Sequence, residues 1–270
     1  MNYIPKIIHY CWFGNNEKGK LILKCIESWK KYLPDYEIRE WNNKDLTICN
    51  NQYVKEAYQE KIWAFVSDYF RLYALYNYGG IYFDITNEVY KSLDKFLNLD
   101  FFASIENCRG TIRPLSMGVI GAKKHNLFVK ELLDEYNNIS IYNNKGKVDF
   151  YPNTERFKKY LYEHYDIPTK IDKNRKIILK ENHIIFPSNY FCEYKNGITY
   201  VKHHYNGSWV PNLTEKERNY IFNKLYFKIY TIKKGYFWKE IQNIPEFPIF
   251  AYPRINKRSV VLTIGIDKKC

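Results

Sequence analysis

Asp68 and Arg71 interrupt an apolar run in which Ile62, Phe65, Val66, Tyr69, Phe70, Leu72, Tyr73, Leu75 and Tyr76 recur three and four residues apart. That period predicts a helix covered over most of its surface, and on a helix residues 68 and 71 share a face. A carboxylate and a guanidinium in such surroundings are either a buried structural ion pair, the usual way charges survive burial, or part of a site. Asp84 poses a similar choice. It follows the short apolar run Ile81, Tyr82, Phe83 and is either a turn cap or a carboxylate offered to a ligand. A third cluster, YVKHHYNGSWV at residues 200–210, sets His203 and His204 side by side before Ser208 and Trp209. An imidazole, a hydroxyl and an aspartate together make a suitable shell for Mn²⁺ or Mg²⁺.

The elements that must position these groups follow from spacing. Residues 55–78 are expected as one long helix, Gly79 and Gly80 supply the backbone that stops it, and residues 81–83 read as a short central strand. Upstream, residues 6–12 form a β-rich run between Pro5 and Gly14, residues 18–32 carry a helical stripe through Leu21, Cys25 and Trp29, and residues 36–41 alternate as a second strand. Strand, helix and strand with short joints make a βαβ unit, hence an α/β sandwich. In open α/β sheets ligands gather beyond the carboxyl ends of strands, which is where Asp84 falls. His9, among apolar neighbours in the first strand, reads as a hydrogen-bonded core residue. Downstream come a short helix over 91–97, a strand over 101–105, the small apolar stretch SMGVIG at 116–121, an amphipathic helix over 124–136, a polar loop over 137–153 and two short strands within 177–200.

A chain of 270 residues is long enough for one large domain or for a domain with an appendage. Its 42 basic residues exceed the 29 acidic ones by 13, a balance that suits nucleic acid, a membrane surface or a phosphorylated small molecule. A single-stranded nucleic-acid platform would use the same basic, aromatic surface, but no RNP-like or KH-like string accompanies it, so nucleic acid is not an expected partner. Six cysteines without CxxC spacing read as reduced thiols, and the N-terminus lacks a secretory signal pattern; both favour a cytoplasmic location.

The string SDYFRLYALYNYGGIYFD resembles SDxxRxxxLxxxGGxYxDxD, the core motif of DxD-motif sugar-nucleotide glycosyltransferases. This is the family-32-like group of bacterial capsular-polysaccharide and fungal mannosyl enzymes, and large clostridial toxins carry a related core. The resemblance covers roughly residues 4–210 and implies a GT-A-like, Rossmann-type α/β fold with a mixed central sheet. It assigns catalytic roles to Asp68, Arg71 and Asp84, with the helix pair on the donor's sugar and diphosphate. Donor or nucleotide contacts are implied also at Tyr10, Trp12, Phe13 and Gly14 of the first strand, and at Ser67, Tyr82, Ser116, Gly118, Ser208 and Trp209. For 116–118 the alternative is a glycine-bearing strand that admits a close neighbour. The implied metal ligands are Asp84, Thr86, His204 and Ser208, with His203 as the alternative to His204, and the ion is Mn²⁺ or Mg²⁺. One position departs from the motif: its second aspartate is Thr86, so DxD reads DIT.

Residues 1–212 are therefore expected as a catalytic domain and 213–270 as a basic, aromatic-rich, mainly helical appendage. Thr214 and Glu217 fit a capping box, and Ile221, Leu225, Ile229 and Ile232 fall on one stripe. Residues 215–270 hold 12 basic and 5 acidic side chains, which suits a solvated face or a peripheral contact with anionic lipid through Phe227, Tyr236, Phe237 and Trp238. The activity implied is retaining transfer of a sugar from a nucleotide diphosphate sugar, UDP-sugar favoured, to a saccharide or lipid-linked saccharide in capsule or surface polysaccharide synthesis. A sugar-nucleotide or glycan binder that lost turnover with the second aspartate is the alternative.

Overall fold

A computed structural model describes residues 3–14, 16–108, 110–205, 225–233, 247–255 and 258–266. The chain separates into two units, one of Met1–Cys108 with Ile112–Trp209 and one of Arg109–Thr111 with Val210–Cys270. As far as residue 205 the strands are β1 Ile7–Cys11, β2 Glu37–Trp41, β3 Gly80–Phe83, β4 Asn87–Val89, β5 Phe101–Ser104, β6 Glu106–Cys108, β7 Thr111–Arg113, β8 Val119–Ala122, β9 Ile177–Lys180, β10 His183–Phe186 and β11 Val201–His203. The helices are α1 Lys20–Tyr32, α2 Gln52–Gln59, α3 Trp63–Tyr78, α4 Leu127–Asp134, α5 Asn153–His164 and α6 Ser188–Phe191.

Seven strands form one sheet in the order β2-β1-β3-β8-β5-β10-β9. β1 runs parallel to β2 and β3, β8 runs antiparallel to β3 and β5, β10 is parallel to β5, and β9 is antiparallel to β10. This is the mixed α/β sheet expected. Successive side chains of a strand face opposite ways, and two cores follow. Ile8, Tyr10, Ile81, Phe83, Phe102 and Val119 pack with Cys25 and Trp29 of α1. Cys11, Tyr82, Phe101, Ala103, Ile120 and Ala122 pack with Phe70 and Leu75 of α3 and Phe128 and Leu132 of α4.

The glycine stop after α3 has a steric cause. Gly80 has φ +104°, and a Cβ there would stand 2.6 Å from the Ile7 carbonyl oxygen. His9 joins the same corner: Trp41 Nε1 donates to its Nδ1 at 3.2 Å, which leaves the proton on Nε2 for the Gly79 carbonyl at 2.8 Å. Burial holds its pKa down at about 4, so it is the neutral core residue expected.

Three expectations change. The long helix is two, because Lys61 takes φ +57° and the bonds Ile62 N–H to Ala57 O and Lys61 N–H to Tyr58 O close α2 as a Schellman motif. That motif usually carries glycine, and here a lysine hides it from sequence inspection. In the C-terminal unit, Leu225–Lys233 is a strand, not helix; with Phe247–Ile255 and Arg258–Ile266 it makes an antiparallel sheet in which Arg258–Ile266 lies in the middle and pairs with both of the others. A four-residue apolar repeat suits period 2 as well as period 3.6, and the β-branched and aromatic content of LYFKIYTIK favours the strand. Lastly, Cys108 is disulfide-bonded, against the expectation of six thiols, while Cys11, Cys25, Cys49 and Cys192 are free. Residues 236–238 and the side chain of Phe227, named above for a lipid contact, lie outside the described residues. Among the described residues no helix is long and apolar enough to cross a membrane.

Candidate active site

The polar groups converge beyond the carboxyl ends of β1, β3 and β5, where the strand order departs from β1 to β2 on one side and to β3 on the other. The amino end of α3 reaches this edge, because a Cβ on Gly14, just past β1, would stand 2.9 Å from the Trp63 indole. Asp68 and Arg71 form the pair their spacing predicts, Nη2 donating to Oδ1 at 2.8 Å. Arg71 Nη1 also donates to the Met117 carbonyl at 2.7 Å and stands 3.3 Å from Asp84 Oδ1. The guanidinium lies over the Tyr82 ring at 4.7 Å, and the Tyr82 hydroxyl donates to Asp84 Oδ1 at 3.0 Å. One cation thus serves two carboxylates. The side chains of Arg71 and Asp68 are 6% and 10% exposed and that of Asp84 is 27% exposed, so Asp84 is the member of the trio that a solute reaches.

Burial lifts the Asp68 carboxyl to about 7, with Arg71 pulling the other way. Burial works against charge on Arg71 as well, but Tyr82, Asp84 and Asp68 together hold its pKa above the ordinary value. Asp68 has a further partner that the sequence did not suggest: Asn153 Nδ2, from the first turn of α5, donates to Oδ1 at 2.6 Å.

Asp84 closes onto β11. Its backbone N–H donates to the Gly118 carbonyl at 2.8 Å, which also accepts from Asn87 Nδ2. His203 Nε2 stands 3.7 Å from Asp84 Oδ2. A Cβ on Gly118 would lie 3.0 Å from His203 Nδ1 and 3.2 Å from Asp84 Oδ2, so the missing side chain leaves a small gap between imidazole and carboxylate. His204, preferred above as the metal ligand, faces elsewhere: its Nε2 bonds Glu88 Oε2 at 2.8 Å, and Lys24 ties Glu88 at 2.8 Å on its other oxygen. Thr86 is buried and offers its carbonyl to the His204 N–H at 3.1 Å. His203, the alternative to His204 in that expectation, is thus the imidazole that faces Asp84, because adjacent residues leaving a strand turn to opposite sides.

A second carboxylate cluster adjoins the first. Arg113 donates to Glu106 Oε2 at 2.9 Å and to Glu155 Oε1 at 2.6 Å. Burial lifts the Glu106 carboxyl to about 7, Arg113 opposes the shift, and the charge of Asp84 adds to it. Cys192 Sγ and the Tyr205 hydroxyl are 2.7 Å apart, the Tyr205 ring lies 4.0 Å from the His203 ring, and Ser116 Oγ is 3.7 Å from Cys192. Glu106 follows a strand that ends at the same edge as Asp84, a signal that sequence reading could have used and did not.

The first-strand assignments divide. Tyr10 projects to the α1 side, against Trp29 at 5.4 Å and with its hydroxyl on Glu40, the face opposite Arg71; Phe13 is buried against Phe70 at 5.1 Å. Both rings are core, so neither is placed to receive a base. Trp12 is half-buried, with its indole N–H on the Asn16 carbonyl and Lys18 over its ring at 5.3 Å. Gly14 meets Asn43 through its N–H. Ser67 donates to Trp63 O within the helix. Ser208 and Trp209 lie outside the described residues.

A divalent cation suits part of this arrangement. His203 Nδ1 is buried without a hydrogen-bond partner, and burial holds the ring's pKa down at about 4, so the imidazole is neutral and able to donate a lone pair. Asp84 and His203 supply two donors, whereas among the described residues no group of three or more His, Cys, Asp and Glu side chains converges. Such a donor set fits an ion that draws its remaining ligands from the oxygens of a bound anion.

Residues 19–102 match the family described as "Glycosyltransferase sugar-binding region containing DXD motif". No curated protein sequence matches the chain. Among solved structures, the PaToxG glycosyltransferase is similar with a TM-score of 0.43 and 18% identity, over 60% of this chain and 70% of that one. A glycosyltransferase involved in the glycosylation of the major capsid of PBCV-1 is similar with a TM-score of 0.43 and 13% identity, over 76% of this chain and 95% of that one. The matched span, residues 19–102, is less than half of the chain and contains Asp68, Arg71, Asp84 and Thr86.

Proposed function

We propose that the protein transfers a glycosyl group, with retention, from a nucleotide diphosphate sugar, UDP-sugar favoured, to a hydroxyl of a saccharide or lipid-linked saccharide, as capsule or surface polysaccharide synthesis requires. The observation that carries this reading is the placement of Asp84 at the end of β3 with Arg71 on one oxygen and His203 facing the other. Cleavage of a sugar–phosphate bond builds negative charge on the departing diphosphate, and fixed donors aimed at that charge lower the barrier. Asp84 and His203 are the residues that would hold Mn²⁺ or Mg²⁺, which when bound supplies positive charge to phosphate oxygens. Arg71 holds Asp84 in its orientation, and Asp68, fixed by Asn153, holds Arg71 in turn. Holding the anomeric carbon beside the acceptor hydroxyl does much of the rest.

The test is a panel of nucleotide sugars screened for thermal stabilisation with and without Mn²⁺, followed by measurement of nucleotide release. One uridine donor should stand out, and Asp84→Ala should remove the Mn²⁺-dependent part of its shift. The second reading, a binder without turnover, is favoured by Thr86 in the motif's third place. Release of free nucleotide by the purified protein excludes it.

A further inference from the structure

We propose that Phe150, Tyr151 and Arg156 form the acceptor subsite, a shelf on which a pyranose lies by its C–H face while the guanidinium engages its hydroxyls. The inference rests on the glycosyltransferase reading above and adds to it where the second substrate sits.

Phe150 and Tyr151 are 39% and 40% exposed, two consecutive aromatics where most other large rings among the described residues are packed away. They are not on a stray loop. Phe150 packs on Phe65 at 5.9 Å, and Phe65 lies one turn before Asp68 on α3, on the same face. Two residues after Tyr151, Asn153 bonds Asp68 directly at 2.6 Å. The exposed rings are thereby anchored on both sides to the buried carboxylate of the site. Arg156, one turn into α5, has its guanidinium 5.5 Å from the Tyr151 ring and 5.6 Å from the Tyr136 ring, and its charge draws the Asp68 carboxyl downward. No carboxylate is paired with it among the described residues. A half-buried guanidinium between aromatic faces with donors to spare, beside two exposed rings, is the chemistry that recognises a sugar: apolar C–H faces on the rings, vicinal hydroxyls on the paired N–H groups. A peptide strand would want an open sheet edge, and a second copy would want a larger apolar area than two rings supply.

The experiment uses the full chain and separates the two halves of the reaction. Binding and Mn²⁺-dependent hydrolysis of the UDP-sugars report on the donor half. Stimulation of nucleotide release by methyl pyranosides of glucose, galactose, mannose and N-acetylglucosamine, and by their disaccharides, reports on the acceptor half. With Phe150→Ala and Tyr151→Ala, the KM of the stimulating saccharide should rise about tenfold each, while kcat and acceptor-independent hydrolysis move less than twofold. Arg156→Lys, which keeps the charge and loses the fork, should raise the same KM. The proposal is overturned if KM is unchanged in both aromatic variants, if hydrolysis without acceptor falls in parallel, if the variants change the sedimentation of the protein from dimer to monomer, or if no saccharide stimulates a wild-type protein that hydrolyses donor. Absence of UDP-sugar binding and hydrolysis in the wild type would instead remove the glycosyltransferase reading, and this subsite with it.

Discussion

His203 Nε2 faces Asp84 Oδ2 at 3.7 Å across the gap left by Gly118, while its neighbour His204 is spent on Glu88 at 2.8 Å. The two imidazoles therefore differ in kind. Replacing His203 by Ala should remove the Mn²⁺-dependent part of the stabilisation by nucleotide, as Asp84→Ala does. At a nucleotide concentration about 100 times Kd the whole stabilisation is about 2.7 kcal/mol, and the Mn²⁺-dependent part is the share of it lost when the ion is left out. His204→Ala should keep it. Thermal unfolding with UDP, with and without Mn²⁺, decides between them, and the reverse outcome restores His204 as the ligand.

Gly118 is expected to be intolerant for a local reason. A methyl there must displace His203 or Asp84, and overpacking of this sort costs about 1–3 kcal/mol. Gly118→Ala should still fold, by circular dichroism and urea titration, yet turn over donor at least about tenfold more slowly. Wild-type turnover in that variant would mean that the gap is not used.

Arg71 compensates the buried carboxylate of Asp68 and the half-buried one of Asp84. Removal of a single partner from a buried ion pair costs about 3–5 kcal/mol because the remaining charge stays in the interior. Arg71→Ala should therefore lose about that much in urea unfolding, and more than Asp68→Asn, which leaves the cation with Asp84. Equal losses in the two variants would contradict a shared guanidinium.

Glu106 predicts the direction of a pH effect. Its carboxyl is lifted by burial to about 7 from an ordinary 4.5, so between those values the folded state binds more protons than the unfolded chain. Its contribution to stability is complete below pH 4.5 and disappears as the pH rises through about 7. The amplitude is on the order of 3 kcal/mol, at 1.36 kcal/mol per unit. Urea titrations at pH 5 and pH 8 should show the wild type losing stability and Glu106→Gln losing less. Identical slopes in both proteins would clear Glu106 of the effect.

Much of this site was open to reading in the sequence because local rules set it. The period of 62–76 makes a covered helix, Asp68 and Arg71 meet because three residues separate them, and the glycine pair ends the helix so that Asp84 leaves β3 at the ligand-binding edge. What escaped depends on partners far along the chain. Tyr10 looked like a nucleotide contact, but alternation along β1 sends it to the α1 core. The choice between His203 and His204 is made when β11 pairs with β4, Val201 opposite Val89 and His203 opposite Asn87, a register no local pattern displays. Asn153 and Glu106 read as ordinary polar residues until tertiary packing sets Asn153 beside Asp68 and Glu106 beside Arg113.

The first turn of α5 fastens two things at once: Asn153 to Asp68, 85 residues earlier, and Glu155 to Arg113, 42 residues earlier. Contacts so distant along the chain form late, after the loops between them have closed. During synthesis the matched region at 19–102 emerges whole long before either fastening exists. A ribosome-bound or truncated chain ending short of residue 153 would thus hold the motif's letters without the clasp that orders them, and one ending short of residue 203 would still lack the imidazole that faces Asp84.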